Sequence, residues 1–340
     1  MTSFDDLVGR TWDENRLFSV LIELTYRCNL DCFFCYNDLG LRGKPLAFEQ
    51  YDTLLRDLAS MDVLNVALSG GEPLAHPDFF RIGARARELG FLVRVKSNGH
   101  ALRGELARRL RDEVDPFVIE VSLHGATAAT HDRQTRVPGS FMRLIENLRE
   151  LQELGLRVKV NSTLTIWNEA ETAEMYALTD SLGLPLRFDL QVSPNDNGDR
   201  TPLNVAPTDE GIRNLMRIED ARMATLPPMP DLVVTAAPSS KHCGAGSAAV
   251  AIDPYGNVYP CVQWRRAVAN LHQRSIVDVW ADSFGGIRRE TEEAKRVVSS
   301  HPRGPLLNFC PGLAEVLTGS ATMVPVEMER IANVVGALTE

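Results

Sequence analysis

Short apolar runs alternate with longer amphipathic ones through the first two thirds of the chain. Residues 17–24, 64–69, 91–97, 117–123, 156–164 and 186–192 are short, β-rich and mostly apolar, and read as strands. Between and after them, residues 46–61, 77–89, 101–112, 139–154, 169–182 and 208–225 carry helical spacing, the second opening near a cap at His76-Pro77-Asp78. Apolar strands separated by helices predict a parallel sheet with helices over it. Right-handed crossovers would curl six such β/α units into an open part-barrel. The expected class is therefore α/β, a partial TIM-like (β/α)6 barrel whose active face is formed by the loops that follow the strands.

Two stretches rich in Pro and Gly interrupt this rhythm. Residues 193–207 read as a loop, and residues 226–240 as a domain boundary. Beyond the boundary the pattern changes to a hairpin, with apolar residues on both sides of a turn at Asp253-Pro254-Tyr255-Gly256-Asn257. The expected division is a polar lead-in (1–16), a barrel (17–225) and a small α+β domain (226–340).

Composition narrows the function classes. Of 340 residues, 44% are hydrophobic and 24% charged, as in ordinary globular chains. A net charge of −9 argues against nucleic acid as the main partner. No run of eighteen apolar residues predicts a membrane span, and the acidic start lacks the apolar core of a signal peptide. The expected compartment is a reducing cytoplasm, where six cysteines read as metal ligands or catalytic thiols rather than disulfides.

Cys28, Cys32 and Cys35 stand in a C-x3-C-x2-C spacing after the first strand. Three thiolates can hold three irons of a [4Fe-4S] cluster and leave the fourth without a protein ligand. Zinc is the alternative, although a structural zinc site wants four closed ligands. After the second strand comes Ser69-Gly70-Gly71-Glu72-Pro73, two glycines that let backbone approach a ligand, followed by a carboxylate.

These motifs resemble the radical S-adenosylmethionine (SAM) superfamily. The likeness extends through Phe34, Ser97-Asn98-Gly99, Ser122-Leu123-His124-Gly125 and His131-Asp132-x-x-Arg136, over roughly residues 17–225. It implies that the open iron of the cluster chelates SAM. It further implies that Gly70, Gly71, Glu72 and Pro73 hold the SAM ammonium and that Arg136 holds the methionine carboxylate. Ser122 would contact the ribose with help from Asn98, and Phe34 would stack near the adenine. Two alternatives stay open: Ser97 and Asn98 as an ordinary turn, and Phe34 as a hydrophobic cover for the cluster. His76, His100, His124 and His131 show no metal-ligand spacing and are expected in surface or turn roles.

Cys243, Cys261 and Cys310 form a second trio. The pattern C-x12-G-x4-C through Gly256 resembles the opening of the SPASM/twitch extension that carries auxiliary iron–sulfur clusters in peptide-modifying radical enzymes. Residues 270–289 and 308–320 resemble its later parts. Three cysteines suffice for one auxiliary cluster, with the fourth iron open or bound by another group; His242 is adjacent in sequence. The alternatives are free or structural cysteines, or Cys310 as a hydrogen-atom donor.

The resemblance implies reductive cleavage of SAM to a 5′-deoxyadenosyl radical. That radical would abstract hydrogen from a substrate, expected to be a ribosomally made peptide that is then cross-linked or epimerised. An external electron donor such as flavodoxin or ferredoxin would be required. No recognition module is expected ahead of the first strand, so a separate peptide-recognition protein is one possible partner. The rivals are a small-molecule dehydrogenase or epimerase of a natural-product pathway, and a non-enzymatic iron–sulfur or zinc protein.

Overall fold

The computed structural model describes residues 4–225 and 239–338. Most of the expected domain boundary, 226–238, lies outside the described residues. The first sixteen residues hold a helix, α1 (Phe4–Asp13). The barrel then runs β1 (Ser19–Thr25), α2 (Phe48–Ser60), β2 (Asn65–Gly70), α3 (Phe79–Glu88), β3 (Leu92–Ser97), α4 (Gly104–Arg109) and β4 (Val118–Ser122). It continues through α5 (Ala128–Thr135), α6 (Ser140–Glu153), β5 (Val158–Thr163), α7 (Thr172–Ser181), β6 (Leu186–Asp189) and α8 (Asp209–Thr225). After the boundary come β7 (Ala249–Ile252), β8 (Asn257–Tyr259), β9 (Ala269–Asn270), α9 (Ile276–Asp282), α10 (Gly285–Ser300), α11 (Pro311–Thr318) and α12 (Val326–Gly336). Among the described residues no helix is long and apolar enough to cross a membrane.

The six barrel strands pair in chain order and in parallel. The sheet does not stop at β1. β7 lies parallel to β1, with Val20 opposite Val250 and Ile22 opposite Ile252, and β8 and β9 follow antiparallel. One sheet of nine strands thus joins the barrel to the hairpin, in the order β6-β5-β4-β3-β2-β1-β7-β8-β9. The main core is likewise continuous, from Val20, Leu68 and Val95 through to Val250, Val258 and Trp264. A smaller core of Ala294, Phe309, Leu313 and Met328 holds the last helices together.

Sequence periodicity explains the layering. β3 and β5 alternate strictly between buried and half-exposed positions, and the half-exposed set faces the lumen. This qualifies the reading of the strands as mostly apolar: their helix-facing side is Val, Ile and Leu, whereas the lumen side is polar. The hairpin turn is set by Asp253, which is fully buried. Its carboxylate accepts from the Tyr255 and Asn257 amides at 2.9 Å and from the Tyr259 hydroxyl at 3.1 Å.

Candidate active site

The strand-end loops surround a cavity of about 290 Å³. Cys28, Cys32 and Cys35 line it, together with Phe34, Gly70, Gly71, Ser97, Asn98 and Ser122. The structure therefore brings nine of the expected residues to one space. Glu72 and Arg136 are not among its walls.

The glycines owe their identity to the neighbouring strand. A Cβ on Gly70, where φ is +130°, would sit 2.3 Å from the Thr25 carbonyl oxygen, and one on Gly71 would sit 2.5 Å from that of Arg27. The Gly71 amide donates to Thr25 O at 2.7 Å and the Glu72 amide to Arg27 O at 2.8 Å. This close lacing fixes the exit of β1, and so the start of the cysteine loop.

Glu72 points away from the cavity and is 2% exposed. Its carboxylate accepts from the Ser97 hydroxyl at 2.9 and 3.0 Å, the Asn98 amide at 2.9 Å and the Leu74 amide at 3.2 Å. Burial pushes its pKa up to about 7 against the pull of those donors. Those donors occupy the carboxylate in this structure. Its position ties the β2 loop to the β3 loop. Pro73 opens the short turn that follows. Ser97, expected as a ligand contact or a turn, carries the hydroxyl that holds Glu72. Asn98 reaches the other way, donating to Asn29 Oδ1 at 2.7 Å and to Cys28 Sγ at 3.7 Å.

Arg136 lies outside the cavity walls. It ends α5 in the left-handed conformation, φ 57°. From there its guanidinium pairs with Asp31 at 3.3 Å and lies over the Phe33 ring, lining a shallow depression apart from the cavity. The motif around it serves the backbone of the cysteine loop. The Asp31 and Phe33 amides donate to the carbonyls of Thr135 and Gln134 at 3.1 and 3.0 Å. Asp132 accepts from the Gly139 and Phe141 amides and the Ser140 hydroxyl, starting α6. His100, His124 and His131 are buried rather than at the surface. Burial holds His124 and His131 neutral, near pKa 3 and 4, and Phe34 packs edge-on against His124 at 4.8 Å.

The second trio is assembled from segments far apart in sequence. The His242 ring bonds to Phe309 O at 2.8 Å, stapling the Cys243 segment to the Cys310 segment. That contact occupies a ring nitrogen of the histidine considered as a fourth ligand. Gly312 lets α11 approach the turn after Cys261, since a Cβ there would lie 2.6 Å from Gln263 O. The three sulfurs lie close enough that a charge on Cys310 or Cys243 disfavours ionisation of Cys261, after the larger effect of burial.

In both trios burial raises the thiol pKa, to about 11 for Cys35 and Cys243 and about 12 for Cys261. Such thiols ionise at neutral pH only with a cation at the sulfur, which is what bound metal supplies. Among the described residues no three His, Cys, Asp or Glu side chains converge on a single ion position. A zinc ion needs every sulfur about 2.3 Å from one point. A cluster instead spreads its ligands over separate irons.

One feature had no local sequence signal. Arg265, four residues after Cys261, is a buried cation with 10% side-chain exposure. It grips Glu23 of β1 with two bonds, at 2.7 and 2.8 Å, and pairs with Asp196 at 2.8 Å. The Asp196 amide donates to Tyr36 O at 2.7 Å, beside Cys35. A single guanidinium thus joins the hairpin of the second trio to the loop of the first. Gln263 and Asp189 line the cavity wall on that side, and the Asp189 charge is felt by Cys310.

Comparison with known proteins agrees with this layout. A profile of the Radical SAM superfamily matches residues 22–179, and one of the SPASM iron–sulfur cluster-binding domain matches residues 243–297. The chain is 32% identical over 254 residues to the mycofactocin maturase MftC of Mycobacterium tuberculosis (strain CDC 1551 / Oshkosh), covering 70% of this chain and 63% of that one. It is 31% identical over 290 residues to the PqqA peptide cyclase of Streptomyces rochei, covering 79% and 77%. The chain thus spans somewhat under two thirds of the maturase. In fold it is similar to native anSMEcpe with bound AdoMet and Cp18Cys peptide (TM-score 0.69, 14% identity, 95% and 98% coverage).

Proposed function

The chain belongs to the radical SAM superfamily and carries a SPASM iron–sulfur domain, and from that premise we propose that it modifies a ribosomally made peptide. The two domains imply [4Fe-4S] clusters and SAM as cofactors. When bound at the first cluster, SAM is the source of a 5′-deoxyadenosyl radical that removes hydrogen from the substrate.

The observation that carries the proposal is a cavity walled by Cys28, Cys32 and Cys35 of the first trio and also by Gln263, two residues after Cys261 of the second. Cys28, Cys32 and Cys35 hold the first cluster. Gly70 and Gly71 offer backbone, Asn98 and Ser122 offer polar contacts, and Phe34 offers an aromatic face to SAM. Glu72 and Ser97 position that wall from behind, and Arg136 clamps the loop from outside. Cys243, Cys261 and Cys310 hold one auxiliary cluster, which places Cys310 as a ligand rather than a hydrogen donor. The two relatives compared above are a maturase and a peptide cyclase by name, which supports a peptide substrate. The same reading takes an external one-electron donor, a separate peptide-recognition protein and a cytoplasmic setting.

The reduced, cluster-loaded chain is to be incubated with SAM and short peptides encoded beside its gene. A cross-link removes two hydrogens from the peptide mass, whereas epimerisation leaves the mass unchanged in water and adds deuterium in D2O. No change in any peptide, with turnover of a sugar or alcohol instead, would rule out the peptide reading and leave the radical chemistry standing.

A further inference from the structure

The barrel lumen carries more positive charge than its own carboxylates balance. Register pairs set Lys96 of β3 opposite Glu120 of β4, and Glu120 opposite Lys159 of β5. Glu120 is 5% exposed and central. It receives Lys96 Nζ and Asn161 Nδ2 at 3.0 Å each, and Arg94 from the same side. Arg187 of β6 stands two residues higher in register, opposite Asn161. Its charge, with those of Arg94 and Lys96, adds to burial in lowering the Lys159 pKa, against the attraction of Glu120. Three cations, Arg94, Lys96 and Lys159, therefore share Glu120, while Arg187 acts on the next lumen carboxylate, Asp189, two residues higher on β6. Like charges gathered around one carboxylate repel unless a further anion joins them. The Arg94 Nε is buried without a hydrogen-bond partner, a donor left over in a group whose planar fork suits a carboxylate.

Lys96 and Glu120 both line the cavity. They lie two residues before Asn98 and Ser122 on their strands, hence roughly 6–7 Å deeper in the barrel at about 3.3 Å per residue. Lys96 and Glu120, with Lys159 in register beside them, are thus a floor beneath the level assigned above to SAM, reached through the same space. We propose that this cationic floor is a subsite for a carboxylate of the substrate, either a peptide C-terminus or an acidic side chain. The inference rests on the cavity being the substrate chamber of a radical SAM enzyme. Within that reading, it selects substrates that carry an anionic group beyond the reacting carbon.

The test uses the full, cluster-loaded chain with saturating SAM, titrated calorimetrically with N-acetylglycine and with its amide. The acid is expected to bind saturably and at least tenfold more tightly than the amide. Lys96→Met is expected to erase that preference. Glu120→Gln, which keeps the shape but removes the competing anion, is expected to tighten acid binding severalfold, an outcome that a purely structural ion pair does not produce. Because Glu120→Gln is isosteric, it keeps the test decisive if Lys96→Met does not fold. Equal or absent binding of acid and amide to the unmodified chain overturns the subsite, as does weaker acid binding by Glu120→Gln. Acid binding seen only without SAM also overturns it, since the methionine carboxylate would then own the floor. SAM cleavage measured on the same samples separates the levels: cleavage without acid preference removes the subsite alone, and absence of cleavage removes the reading beneath it.

Discussion

Arg265→Met is expected to cost about 3–5 kcal/mol of stability and to empty both cysteine loops of iron. The magnitude follows from what the substitution leaves behind. Glu23 has no side-chain exposure and Asp196 has 17%. With the guanidinium gone, the Tyr26 hydroxyl, at 2.9 Å, is the one other side chain among the described residues that bonds to Glu23. An uncompensated buried carboxylate is far costlier than the ion pair was favourable. Burial already holds Asp196 near pKa 7 even with Arg265 beside it, so it would take up a proton. Arg265→Lys restores the charge without the two-pronged grip and is expected to fall between the two. Adding Glu23→Gln to Arg265→Met should recover part of the loss. Urea denaturation of the three variants, with iron counted on each, checks the set. A loss below about 1 kcal/mol in Arg265→Met would show that the hub is dispensable.

Cys310→Ala is expected to separate the two cysteine trios functionally. Iron content should fall from about eight to about four per chain, as one [4Fe-4S] cluster is lost. Cleavage of SAM without peptide should persist within a few-fold, because Cys28, Cys32 and Cys35 are untouched. Peptide modification should drop at least ~100-fold, the scale of about 2.7 kcal/mol in the barrier. The contrast with a hydrogen-donor role lies in the iron: a donor can be removed without loss of metal. Iron that stays near eight while the product changes would reassign Cys310 to hydrogen transfer.

The parts of this molecule that were legible in sequence are those set by local pattern. The barrel strands are short, mostly apolar runs, buried continuously in β2 and β4 and at alternate residues in β3 and β5, and their helices have an apolar stripe. The cysteine spacing and the glycine pair are local too, and they converge on one cavity. What sequence did not show depends on distance or direction. α5 is eight residues long and contains two threonines, a histidine and a glutamine, too polar and too short to announce itself by periodicity. The pairing of β7 with β1 joins residues more than two hundred apart, and nothing in either strand names its neighbour. Glu72 and Arg136 were placed by motif, which fixes the residue but not where its side chain points. Glu72 turns inward because Ser97 and two amides satisfy it there, and Arg136 turns outward because Asp31 and Phe33 receive it. Arg265 belongs to the same class, since its acidic partners lie on β1 and in the loop after β6. The lumen cations were visible as alternating charges in β3 to β6, but their excess appears only when the register is known.

The central claim is that Cys28, Cys32 and Cys35 form the radical-generating end of this cavity. The most direct measurement is the yield of 5′-deoxyadenosine from SAM by the anaerobically reconstituted, reduced chain, with iron, sulfide and zinc counted on the same sample. The account predicts 5′-deoxyadenosine and methionine in equal amounts, about eight irons per chain, and loss of the reaction when Cys32 becomes alanine. A protein that binds zinc alone, or that holds iron and sulfide but leaves SAM intact under reduction, would contradict it.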